Sequence, residues 1–175
     1  MSNLRKINYF KLVTAVILGW YFLSCALNAT EWHFIDNIDL IIHEAGHWIF
    51  MFFGEFITYL GGSINQILIP IIFAAYFFLR RDFYSASVVL LWVGYNIVNV
   101  SVYMADAVVM QLPLLGGDSS GHDWNNLLWM THTLQYTDLF SSITRGIGMF
   151  VIIIGIVLSL KLSRNNGTYT FLSES

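Results

Sequence analysis

The sequence predicts an all-α, polytopic membrane bundle of about five helices, and three observations carry that prediction. Hydrophobic residues make up 57% of the 175-residue chain and charged residues only 11%, less than half of the ~25% with which soluble domains cover their surface. The apolar residues fall in long runs, close to the ~20 residues a helix needs to cross a bilayer. The polar residues that remain gather between those runs, above all in 111–137. The same composition excludes disorder, which requires low hydrophobicity. It also excludes a nucleic-acid partner, because 8 Lys+Arg against 11 Asp+Glu give a net charge of −3 and no basic face. The single cysteine, Cys25, excludes an internal disulfide and a cysteine-based zinc cluster. A chain of this length is expected to form one membrane domain surrounded by lipid, in the inner or plasma membrane of the cell.

The first apolar run, 9–27, follows Arg5 and Lys6 and contains Lys11. It is longer than the apolar region of a signal peptide and no small-x-small pattern follows, so a retained spanning helix is expected. A polar step from Asn28 to Asn37 leads into a second run, 38–60, which Gly61-Gly62-Ser63 is expected to end, as paired glycines punctuate chains. The third run, 64–79, is closed by Arg80-Arg81-Asp82, and the fourth covers 85–110. The segment 111–137 is expected as a polar loop before a last span over 143–162. Five crossings would place the termini on opposite sides. They would also separate the basic N-terminus from Arg80, Arg81, Lys161 and Arg164, against the tendency of Lys and Arg to collect on the cytoplasmic side. Either one run does not cross fully or the N-terminus is external.

The second run contains His43-Glu44-Ala45-Gly46-His47, an H-E-x-x-H pattern. Residues four apart on a helix lie one turn apart on the same face. Both imidazoles are thus placed to bind one Zn²⁺, with Glu44 beside them as general base. Two histidines and a glutamate inside an apolar stretch are costly unless paired or ligated, which favours a metal site over a solvated face. Asp36 and Asp39 fall near the same stripe. Asp39, one turn before His43, is expected to accept that ring's second N–H and fix its tautomer, although acids also suit a helix start for its dipole alone.

His-Glu-Ala-Gly-His within a membrane helix resembles the site-2-protease type of intramembrane metalloprotease, the M50 peptidases. Gly61 and Asn65 resemble that family's G-x-x-x-N segment, which opens the next helix near the active site. The short chain is similar to the minimal M50B-like members. The resemblance implies zinc as cofactor, Glu44 as catalytic base, Asn65 as an oxyanion or substrate-positioning group, and a transmembrane protein as substrate. The family's third ligand is an aspartate in an L-D-G motif, and no L-D-G occurs in this chain.

A catalytic zinc site usually has three protein ligands and a water. The segment from Gly116 to Asn125 supplies Asp118, His122 and Asp123 after tight-turning glycines. His122 is the first choice as third ligand, because neutral imidazole is a good zinc donor that adjacent carboxylates can orient; Asp123 and Asp118 are the alternatives. The fourth run offers Asp106, at the end of a polar stripe of Asn96, Asn99, Tyr103 and Asp106 spaced 3, 4 and 3 apart. Such a stripe must face the bundle interior, where it can ligate, orient a ligand or line a water path, and Asn65 and Gln66 are placed to complete a polar cavity. His33 and His132 lie outside the runs and are expected at the surface. The expected function is zinc-dependent hydrolysis of a peptide bond within or at the edge of the bilayer. The alternatives are a membrane zinc hydrolase acting on a lipid or small amide, and a non-enzymatic metal-binding or transport protein.

Overall fold

The computed structural model describes residues 7–112 and 122–164. These form helices α1 (Tyr9–Leu27), α2 (Asp36–Phe50), α3 (Glu55–Leu79), α4 (Phe83–Ala105), α5 (Asp123–Met130) and α6 (Thr137–Leu162), with no strand among the described residues. Four of them, α1, α3, α4 and α6 with the turn preceding it, are long and apolar enough to cross a membrane. Their outward faces are apolar: Phe10, Trp20, Leu79 and Phe150 are all exposed. An outer shell of this kind is stable in lipid and not in water.

The expected second span is not one helix. Its 23 positions divide between α2, which ends at Phe50, and the first turns of α3. The break falls at Gly54, whose φ of 93° few side chains tolerate, and not at Gly61-Gly62, which lie within α3. At about 1.5 Å per residue, the 15 residues of α2 reach some 22 Å, short of a hydrocarbon core of ~30 Å. α2 is therefore a partial helix laid against α3. The fourth span ends earlier than expected, at Ala105, the last begins earlier, at Thr137, and the 111–137 segment contains α5.

Four candidate crossings among the described residues, in place of five, place most of the described basic residues at one end of the bundle. The Asn8 N–H donates to Ser163 O at 3.0 Å, and the Tyr84 hydroxyl donates to Lys11 O at 2.7 Å. The starts of α1 and α4 and the end of α6 thus meet at one end of the bundle. Lys11, Arg80, Arg81, Lys161 and Arg164 all belong to that end.

α4 is the central helix, more than half buried where α1, α3 and α6 are one-third buried or less. It packs on α6 backbone to backbone: a Cβ on Gly148 would lie 2.7 Å from Gly94 O. Small residues permit this approach, which replaces hydrophobic driving force between helices in lipid. Leu91, Tyr95, Val98 and Ile152 are fully buried in the core that α1, α4 and α6 share.

Candidate metal centre

α2 and α3 run antiparallel in direct backbone contact. A Cβ on Gly46 would collide with Gly61 O and stand 2.7 Å from the Asn65 Cβ. The Asn65 amide donates to Ile42 O at 2.6 Å and ties the pair together. Asn65 is thereby tied to the α2 backbone through Nδ2, a structural use that stands beside the oxyanion or substrate-positioning role implied by the family resemblance.

Two stripes with four-residue spacing face each other across this contact, His43 and His47 on α2 and Thr58, Gly62 and Gln66 on α3. His43 Nδ1 lies 2.9 Å from Gln66 Oε1, and His47 Nδ1 lies 2.8 Å from Thr58 O. A backbone carbonyl only accepts, so His47 carries a proton on Nδ1 and turns Nε2 inward, where the hydrogen bond to Asp123 pushes the imidazole pKa up to about 9. Gly62 lies between them, and a Cβ there would fall 2.5 Å from His43 Nε2 and 2.7 Å from His47 Nε2. The missing side chain is what leaves room beside both nitrogens.

α5 supplies the third group. The Trp124 indole donates to Ser63 Oγ at 3.1 Å and Asn125 Nδ2 donates to Ala107 O at 2.7 Å, while Leu127 and Leu128 are buried. These contacts seat the first turn of α5 over α3 and the end of α4, and they bring Asp123 Oδ2 to 3.0 Å from His43 Nε2 and 3.2 Å from His47 Nε2. Burial raises the pKa of Asp123, and the two imidazoles lower it by more, so its carboxyl is held below the ordinary carboxylate range.

His43, His47 and Asp123 each offer one ligand atom, all within 4.8 Å of one another. The set fits a metal by its chemistry. With both Nδ1 positions engaged, both Nε2 atoms converge on a carboxylate oxygen, and the negative charge of Asp123 calls for positive charge among them, supplied by protons on Nε2 or by a metal ion that replaces them. The separations of 3.0 and 3.2 Å approach the ~3.4 Å edge of a tetrahedron with zinc–nitrogen and zinc–oxygen bond lengths.

The cavity here has a volume of about 460 Å³ and is lined by His43, Glu44, His47, Tyr103, Asp123 and Trp124, among others. The remaining residues singled out by the sequence divide around it. His122, the first choice as third ligand, lines the same cavity and places Nδ1 3.6 Å from Asp106 Oδ2, and it is not one of the three groups whose ligand atoms cluster. The chain enters α5 at Asp123, and one step separates the side chain that reaches both imidazoles from the one that reaches Asp106. Asp106 accepts from the Gln111 and Leu112 N–H groups at 2.9 and 3.0 Å and so anchors the chain after α4. Asp118 lies outside the described residues. Asp39 does not reach His43: it accepts from the Trp92 indole at 2.7 Å, and Gln66 occupies the place beside His43 Nδ1. Asn96 donates to Trp92 O at 3.0 Å within α4, and Asn99 pairs with Gln66 at 2.8 Å. His33 lies 3.0 Å from Asn28 O, and His132 occupies a left-handed turn after α5.

Gly62, Gln66 and the Thr58 carbonyl were not singled out as imidazole partners from the sequence. Their spacing of four on one helix was the available signal. Comparison with protein-family models, with curated proteins and with solved structures finds no match to this chain.

Proposed function

We propose that the protein is a zinc-dependent intramembrane hydrolase whose substrate is a peptide bond in, or beside, a transmembrane segment. The observation that carries this reading is the convergence of His43 Nε2, His47 Nε2 and Asp123 Oδ2 beside Gly62, next to Glu44 in one cavity. His43, His47 and Asp123 would hold the ion. When bound, zinc supplies Lewis acidity, lowering the pKa of a water to about 7 and polarising the scissile carbonyl. Glu44 removes the proton as the water oxygen bonds to the carbonyl carbon, then delivers it to the amide nitrogen as the C–N bond breaks. Tyr103 lines the cavity with its ring 5.7 Å from that of His43. Its hydroxyl donates to the developing oxyanion. The basic end of the bundle faces the cytoplasm in this reading, following the usual distribution of Lys and Arg. The H-E-A-G-H motif and its membrane setting support placement near the M50 peptidases.

A second reading, hydrolysis of a lipid amide or ester, is favoured by one further feature. An apolar groove of about 410 Å³, lined by Phe56, Leu60, Met104, Leu127 and Phe140, shares Trp124 with the site cavity and has the character of an acyl-binding surface. The test compares wild type with Glu44→Gln on single-span helical peptides and on lipid amides and esters. Cleavage of peptides alone, lost in Glu44→Gln, is the expected result. Cleavage of lipids alone selects the second reading. Zinc crossing proteoliposomes equally with both proteins, and no hydrolysis of either class, overturns both in favour of transport.

A further inference from the structure

Four buried side chains form a one-way chain of hydrogen bonds behind the site. The Asp36 carboxylate meets only donors: the Tyr95 hydroxyl at 2.5 Å, the His33 N–H at 2.6 Å and Asn99 Nδ2 at 3.4 Å. Gln66 Nε2 donates to Asn99 Oδ1 at 2.8 Å, and Gln66 Oε1 stands 2.9 Å from His43 Nδ1. Asp36, Asn99 and Gln66 are 5%, 7% and 1% exposed, so no water competes for these bonds.

We propose that Asp36 is a positioning residue for the metal site, fixing the tautomer of His43 through the amides of Asn99 and Gln66. The inference rests on the metal reading given above. An amide can be turned either way, offering N–H₂ or C=O to a neighbour. A carboxylate only accepts, so Asn99 must turn its nitrogen toward Asp36 and its oxygen toward Gln66. Gln66 must then offer its nitrogen to Asn99 and its oxygen to His43. The oxygen takes the Nδ1 proton, so the neutral ring keeps its lone pair on Nε2, the nitrogen that faces Asp123. His47 needs no such chain, because the Thr58 carbonyl fixes its tautomer directly. Acid placed behind a ligand imidazole in this way is the usual device for orienting it. The distinctive feature here is that the acid lies two amides away, at the start of the same helix that carries the histidine.

The amide chain has a consequence that simple packing does not. Replacing Asp36 by Asn admits both amide orientations, and in one of them His43 presents Nε2–H to the site and cannot ligate. Replacing Gln66 by Glu places an acceptor-only group directly against Nδ1, so the tautomer of His43 no longer depends on Asp36; the new carboxylate also competes with Asp36 for the Asn99 nitrogen, a conflict that Asp36→Asn relieves. The test is a double-mutant cycle on the purified full chain, with zinc affinity read by chelator competition. Asp36→Asn is expected to weaken zinc roughly 10–100-fold, the usual range for loss of an outer-shell partner, and to cause no loss in the Gln66→Glu background. An unchanged affinity in Asp36→Asn, or an equal loss in both backgrounds, overturns the proposal. Imidazole nitrogen NMR of the metal-free wild type at alkaline pH provides a second readout that needs no variant to fold. It is expected to show His43 as the Nδ1–H tautomer alone, and an Nε2–H tautomer overturns the proposal. If wild type binds no zinc, the metal reading fails, and the nitrogen spectrum still decides the amide chain.

Discussion

Gly62→Ala introduces one methyl group at the position where the site has least room. The added Cβ would lie 2.5 Å from His43 Nε2 and 2.7 Å from His47 Nε2, whereas relaxed contacts between heavy atoms begin near 3.5 Å. Relief requires the rings to retreat by about 1 Å. Gln66 and the Thr58 carbonyl hold them from behind at 2.9 and 2.8 Å, so they have little room to move. Metal–ligand distances tolerate only about ±0.2 Å, several times less than this displacement. Zinc affinity is therefore expected to fall by at least ~100-fold, beyond the usual loss for an outer-shell change, together with an overpacking cost of about 1–3 kcal/mol. Gly61→Ala is the control: its Cβ meets Phe50 at 2.7 and 2.9 Å, comparably crowded but away from the nitrogens. It should destabilise by a similar ~1–3 kcal/mol and leave zinc affinity within about threefold. Thermal unfolding and chelator competition in detergent measure the two effects separately. Gly62→Ala binding zinc as tightly as wild type, or Gly61→Ala losing it equally, would refute the reasoning.

Asn65→Ala should cost about 1–3 kcal/mol of stability, the range for removing one partner of a buried hydrogen bond, without changing the metal stoichiometry; an activity loss at unchanged stability would place Asn65 in the chemistry. Tyr103→Phe should retain zinc and lose roughly 10²–10³ in hydrolysis, the range for one oxyanion donor, measured on whichever substrate class wild type cleaves. Acid should release the metal by protonating the histidines before Asp123, because Asp123 is held below the usual carboxylate range and its carboxylate pushes the His47 pKa up to about 9 in the metal-free protein, so protons compete strongly for that ligand; zinc content followed against pH checks this. In the metal-free protein the contribution of Asp123 to stability should be fully present above the ordinary carboxylate pKa and disappear as pH falls below it, as unfolding followed against pH will show.

The membrane class, four of the helices and the His43–Glu44–His47 face were legible in the sequence because each depends on local information: run length, apolar content and a spacing of four. The division of the second run was not. Gly54 and the Gly61-Gly62 pair are the same residue type used for opposite ends, one for a positive φ and the other for backbone contact inside a helix. Only the partner helix distinguishes these uses. Which of the candidate third ligands, Asp123 among them, joins the two histidines was illegible for a related reason. Asp123 joins His43 across 80 residues of chain, and no periodicity links a loop to a distant helix. His122 and Asp123 differ by one step, and which of them reaches the two imidazoles is decided by how Trp124 and Asn125 seat α5 on α3 and α4. Asp39 failed as a partner of His43 because the Trp92 indole claims it. Gln66, known from the sequence only as a polar residue on the third run, takes its place.

The most direct test of the metal centre is the zinc content of purified wild type, His43→Ala, His47→Ala, Asp123→Ala, His122→Ala and Glu44→Gln, by elemental analysis after dialysis against a weak chelator. About one zinc per chain is expected in wild type, His122→Ala and Glu44→Gln, and essentially none in His43→Ala, His47→Ala and Asp123→Ala, since three protein ligands is the working number for such a site. Zinc kept by Asp123→Ala and lost by His122→Ala, or no zinc in wild type, would contradict the assignment of His43, His47 and Asp123 as the metal-holding group.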